Sequence, residues 1–157
     1  MERAPAQLCC PALRPRTSVR RSLPPVSLLA AASLGGMIGA LLRWSLGEVV
    51  PDSSGFPWTT LAINVTGCFM LALLPAAGWV RQHPALPVFL GTGVLGGYTT
   101  LSTYAEQGRA LLASGRQGEA LAYLAGTLIA CVLAVRLAHH WSTRADQAEF
   151  EAEEGNE

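Results

Sequence analysis

Four apolar runs, each close to twenty residues long, follow one another in this chain. They extend from about Leu28 to Leu46, Trp58 to Val80, Leu86 to Tyr104 and Ala120 to Ala138. A helix needs ~20 predominantly apolar residues to cross a hydrocarbon core of roughly 30 Å. The second and third runs contain no charged residue, and the fourth contains only Arg136, near its end. Backbone groups cannot be left unpaired in lipid, so the pattern predicts an all-α membrane protein with four transmembrane helices. A soluble helical bundle shares the periodicity but has no reason for four runs so poor in charge. Trp44, Trp58, Trp79 and Trp141 fall near the ends of the runs, where interfacial aromatics belong. The polar turn Arg81-Gln82-His83-Pro84 joins the second run to the third.

Charge is kept outside the runs. Only 14% of the 157 residues are charged, against about 25% in a soluble domain. Lysine is absent, and the arginines balance the acids to a net charge of zero. That leaves no electrostatic case for nucleic acid. The length suits one domain, read as residues 27–140. Residues 1–26 are rich in Arg and Pro and are predicted to be a disordered tail. Residues 141–157 are acidic and are predicted to be a second disordered tail. Arg20-Arg21 before an apolar stretch looks like a twin-arginine signal, but three further spans argue against it. Cys9, Cys10, Cys68 and Cys131 have neither zinc-site spacing nor the look of a disulfide framework. Cys68 and Cys131 read as small core residues.

The spans carry more than lipid-facing residues. Gly35 and Gly39 form a G-x-x-x-G, and so do Gly93 and Gly97. Such spacing lets helix backbones approach closely in a membrane, although either motif also fits loose glycine content. The third run reads Gly96-Gly97-Tyr98-Thr99-Thr100-Leu101-Ser102-Thr103-Tyr104. Two glycines and four hydroxyl residues are poor helix material, which predicts a break near Gly96 to Thr100. Freed carbonyls there could hold a cation and freed hydroxyls could donate to an anion. A kinked packing helix fits the same residues. Asn64, inside an apolar run, needs hydrogen-bond partners. It is either a donor aimed into a pore or a bond between helices. Tyr123, Thr127 and Cys131 at i, i+4 and i+8 share one helix face, which suits a polar path or ordinary packing.

These residues also carry a family resemblance. Gly35–Trp44, Thr60–Phe69 and Gly96–Tyr104 resemble, in order and spacing, three helix motifs of the Fluc (CrcB) fluoride channels. The resemblance implies an antiparallel dimer of four-helix subunits with two pores, not an enzyme. Its activity would be passive, selective export of cytoplasmic fluoride across a bacterial plasma membrane, relieving fluoride toxicity. It makes Asn64 a donor to fluoride, with Ser102, Thr103 and Tyr104 at the break. Tyr123 and Thr127 would belong to a polar track in which Cys131 replaces a hydroxyl. Arg43 would sit at the vestibule, though it also reads as an interface anchor. Carbonyls of Gly96 and Thr99 from both subunits would hold a structural sodium ion. Leu101 and Tyr104 stand where the family pattern has two phenylalanine rings.

Two other readings compete. A small four-helix multidrug-type transporter needs a membrane-embedded acid, and the nearest candidate, Glu48, lies at a span end. A non-conducting membrane subunit explains the glycines but not Asn64 together with the hydroxyl cluster. The loop arginines add a question of partner. Arg14, Arg16, Arg20, Arg21, Arg81 and Arg144 lie on one side of a four-span chain, against Arg109 and Arg116 on the other. That bias favours one orientation with both termini inside. It therefore points to a heterodimer with a second homologous subunit as the alternative to a homodimer.

Overall fold

Prolines set the helix boundaries. In a computed structural model, which describes residues 25–52 and 55–154 and side chains as far as Ser142 apart from Arg81, helix α1 (Val26–Val49) begins immediately after Pro25. It stops before Pro51, whose ring disfavours helical geometry in the residue ahead of it. Helix α2 (Trp58–Leu73) follows Pro57. Its exposed N-terminal donors are met by Asp52, whose Oδ1 accepts from the Thr59 N–H and the Thr59 hydroxyl, each at 2.9 Å. The sequence predicts this span as far as Val80, but α2 ends earlier. Pro75 lies in a 3₁₀ turn at Leu74–Ala76, and Ala77 is extended before the short helix α3 (Gly78–Arg81).

The third apolar run is helical in two unequal styles. A π-helical segment, Val88–Leu95, leads into α4 (Gly96–Tyr98). Thr99 (ψ 158°) and Thr100 (φ −148°, ψ 118°) are extended, and α5 (Leu101–Ala113) then resumes. Gly115 closes α5 at φ 79°, with Arg116 N–H donating to Leu111 O and Gly115 N–H to Leu112 O. That geometry needs a residue tolerant of positive φ. Helix α6 runs from Gln117 to Glu154. The sequence predicts a disordered acidic tail at 141–157, whereas the helix continues as far as Glu154. Ala, Glu and Gln are strong helix formers and no Gly or Pro intervenes before Gly155. Of the tail predicted at 1–26, residues 1–24 lie outside the described residues, and Val26 already belongs to α1.

Helix α1 packs on the π-helical segment and α4, and α2 packs on α6. The first contact is backbone against backbone. A methyl group on Gly93 would lie 2.8 Å from Gly35 Cα, and one on Gly39 would collide with Val94 O. The two G-x-x-x-G motifs thus face one another and let α1 and the third run touch where any side chain would separate them. One buried apolar cluster joins Leu111, Ala120 and Tyr123, flanked by Phe56, Leu61, Tyr104 and Leu124. Large apolar side chains cover the outside instead, among them Leu34, Met37, Ile38, Leu41, Ile129 and Leu133. Val26–Val49, Trp58–Ala76 and Gln117–Ser142 are each long and apolar enough to cross a membrane. All four tryptophans are exposed; Trp44, Trp58 and Trp79 lie near helix ends, and Trp141 lies within α6.

Candidate functional site

The extended step at Thr99–Thr100 organises the polar residues. Asn64, buried on α2, faces it and bonds to both polar atoms of one peptide residue. Its Nδ2 donates to Thr100 O at 3.1 Å, and its Oδ1 accepts from Thr100 N–H at 2.8 Å. The amide orientation is forced, because an N–H can only donate and a carbonyl can only accept. One of the two Nδ2 hydrogens is thereby used and the other is left. The Thr100 side chain caps α5: its hydroxyl accepts from Thr103 N–H at 3.1 Å and lies 3.0 Å from Thr103 Oγ1 and 3.3 Å from Ser102 Oγ. On the other flank, Arg43 of α1 donates from Nε to Gly97 O at 3.2 Å.

Two cavities meet at Thr100. The first, of about 270 Å³, is lined by Asn64, Thr99, Thr100, Leu101, Tyr104 and Thr127, with Cys68 and Cys131 beside them. Thr127 is 3% exposed. Among the described residues its Oγ1 is buried with no hydrogen-bond partner. Its hydroxyl is therefore a donor that no described protein group uses. The second cavity, of about 290 Å³, is lined by Arg43, Glu48, Asp52, Thr100, Thr103 and Gln107, with Thr60 beside them. Outside these cavities, Arg109 bonds Glu106. Arg116 pairs with Glu119 and donates to Gly55 O at 2.9 Å, tying the α5–α6 turn to the loop before α2.

A family model described as CrcB-like protein, Camphor Resistance (CrcB), matches residues 30–139. The chain belongs to this family. Within the CrcB-like proteins it is similar to the fluoride-specific ion channel FluC 2 of Nocardia farcinica, 46% identical over 132 residues, which are 78% of this chain and 94% of that one. It is 43% identical over 136 residues to the fluoride-specific ion channel FluC 1 of Streptomyces coelicolor, covering 85% of this chain and 86% of that one. It is 44% identical over 101 residues to the fluoride-specific ion channel FluC of Thermus thermophilus, covering 61% of this chain and 79% of that one. With three helices apolar enough to cross a bilayer, this CrcB-like chain is a multi-pass protein of a bacterial membrane.

The residues singled out in the sequence divide between the two cavities. Asn64, Tyr104 and Thr127 meet in the first, with Cys131 on the same wall. Arg43 and Thr103 line the second. Ser102 is exposed beside Thr100. Tyr123 lies elsewhere. It is fully buried, its ring centroid is 5.3 Å from that of Tyr104, and its hydroxyl donates to Gln107 Oε1 at 2.9 Å. Tyr104 donates to Leu124 O at 2.7 Å, which leaves the ring rather than the hydroxyl to face the cavity. Sequence reasoning missed Gln107 and Thr60. Gln107 stands one turn beyond Thr103 on the same helix face, and continuing that spacing past Tyr104 finds it.

Proposed function

We propose that this chain is a subunit of a fluoride-specific ion channel that lets cytoplasmic fluoride leave the cell passively. The observation that carries the reading is the partnerless Thr127 hydroxyl in the cavity that Asn64 and Tyr104 share. The names of the relatives support it. Fluoride is small and strongly hydrated, so a path for it must replace water with donors. The second Asn64 N–H and the Thr127 O–H are such donors, and the Tyr104 ring offers a positive edge. Arg43, Thr103 and Gln107 would receive the ion at the adjoining cavity, and Arg43 adds attraction for an anion. Tyr123 would keep Gln107 in place for that task.

In this reading the third span is Val88–Tyr98 followed by α5, broken at Thr99–Thr100, so the subunit has four spans. Two copies, or this chain and a homologous subunit, would pair in antiparallel fashion through the apolar outer faces within membrane lipid. A resident sodium ion fits the break. In a continuous α-helix the Gly96 and Thr99 carbonyls would accept from Thr100 N–H and Thr103 N–H. Both donors are committed elsewhere, to Asn64 Oδ1 and Thr100 Oγ1. Gly97 O is taken by Arg43. Gly96 and Thr99 would therefore supply carbonyl oxygens to a hard monovalent cation. When bound, the ion supplies fixed positive charge that offsets the cost of an anion in low dielectric. The test is efflux from loaded liposomes: fluoride should leave and chloride should stay. Equal release of both ions would end the reading.

A further inference from the structure

We propose that Asn64 is the positioning residue for the cation site, acting through its acceptor oxygen, separately from any donor role toward fluoride. The inference rests on the sodium reading above. Its starting point is that one amide does two things. Oδ1 holds the Thr100 N–H at 2.8 Å, and Nδ2 holds Thr100 O at 3.1 Å. The Thr100 N–H is the group that helix geometry would otherwise deliver to Gly96 O. As long as Asn64 holds it, the helix cannot close over the Gly96 carbonyl.

The site is buried, so this competition has no solvent arbiter. Asn64 and Thr100 are each 9% exposed. Without Asn64 Oδ1, the Thr100 N–H must find an acceptor within the chain, and Gly96 O is the one that backbone continuity brings to it. A second diversion acts in the same way one step on. Thr100 Oγ1 captures Thr103 N–H at 3.1 Å and keeps it from Thr99 O. Gly67, on the same α2 face as Asn64, lets this step approach: a methyl group there would lie 3.2 Å from Tyr98 Cδ1 and would overlap Thr99 Cγ2. Helix α2 thus brings both a captor and the room for it against the break. The freeing of two carbonyls is a property of two side chains, Asn64 and Thr100, neither of which need touch the cation.

Three variants of the full-length chain in detergent test this. The measurement is the shift in melting temperature when sodium replaces N-methylglucamine at constant ionic strength, with sodium-23 NMR line broadening as a second readout. Asn64→Leu removes the captor and Thr100→Val removes the second one. Each is expected to weaken sodium binding at least tenfold. Asn64→Asp keeps an oxygen that accepts from Thr100 N–H; ionised it has no donor, and protonated its single O–H is spent on Thr100 O, so in either state the spare donor toward the cavity is lost. It should retain the sodium response while losing fluoride flux. If wild type shows no sodium response, the sodium reading itself fails and takes this proposal with it. If wild type responds and Asn64→Leu responds equally, the positioning role is overturned while the sodium reading stands. Should Asn64→Leu not fold, Asn64→Asp decides: a retained response with lost flux supports the proposal, and a lost response overturns it.

Discussion

Gly35 and Gly93 touch through their backbones: a Cβ placed on Gly93 would lie 2.8 Å from Gly35 Cα and 3.0 Å from Ala32 O. Neither neighbour is a flexible side chain that could swing aside. Gly93→Val should therefore force α1 off the third run. Overpacking of this kind costs typically about 1–3 kcal/mol, and backbone contact puts it at the upper end. Gly36→Ala is the control, because a methyl group on Gly36 meets nothing within 4 Å. Tryptophan-fluorescence melting in detergent should show a large loss for Gly93→Val and none for Gly36→Ala.

Thr127→Val replaces a partnerless hydroxyl with a methyl group of nearly the same size. The fold should be unharmed or slightly stabilised, since a buried unsatisfied group is removed. Fluoride flux should fall roughly ten- to hundredfold, the equivalent of one hydrogen bond to a charged group. A fluoride electrode reading liposome efflux measures it. Unchanged flux in a well-folded variant would return Thr127 to packing alone.

Tyr123→Phe should behave in the opposite way. It breaks the bond to Gln107 and leaves Oε1 without that donor. Stability is expected to drop by about 0.5–1.5 kcal/mol, with flux reduced less than in Thr127→Val. A flux loss as deep as that of Thr127→Val would put the Tyr123 hydroxyl in direct contact with the ion.

Cys68 and Cys131 both line the first cavity. A small methanethiosulfonate reagent that reaches either thiol should block flux, and dithiothreitol should restore it. The doubly substituted chain, Cys68→Ala with Cys131→Ser, should be insensitive to the reagent. Block that persists in that variant would show the reagent acting elsewhere.

Much of this was legible before any coordinates. Hydropathy located the apolar runs, and the glycine spacing correctly suggested close backbones, because both are local patterns. The position of Pro75 was legible too, yet an uncharged run as far as Val80 outweighed it. What the sequence withholds is pairing at a distance. Asn64 and Thr100 are 36 residues apart, and no local pattern says that one amide will grip the other's peptide groups. The direction of Tyr123 was hidden for a related reason. It shares a helix face with Thr127 and Cys131, but one turn along α6 the neighbour changes from the cavity to the Phe56 and Tyr104 rings. The charged end of α6 reads as a solvated tail by composition, and only its freedom from helix breakers hinted otherwise.

Helix α6 has 38 residues, about 57 Å at the usual rise, against a hydrocarbon thickness of roughly 30 Å. Its far end must stand clear of the lipid as a stalk. A stalk marks the compartment it enters, and so it records which way each copy was inserted. With Ala145→Cys and the native cysteines replaced, a membrane-impermeant maleimide added to intact cells would label about half the stalks in a population inserted both ways, and all or none in a population inserted one way. The overhang thus turns the choice between a self-paired channel and a two-gene channel into a count of labelled chains.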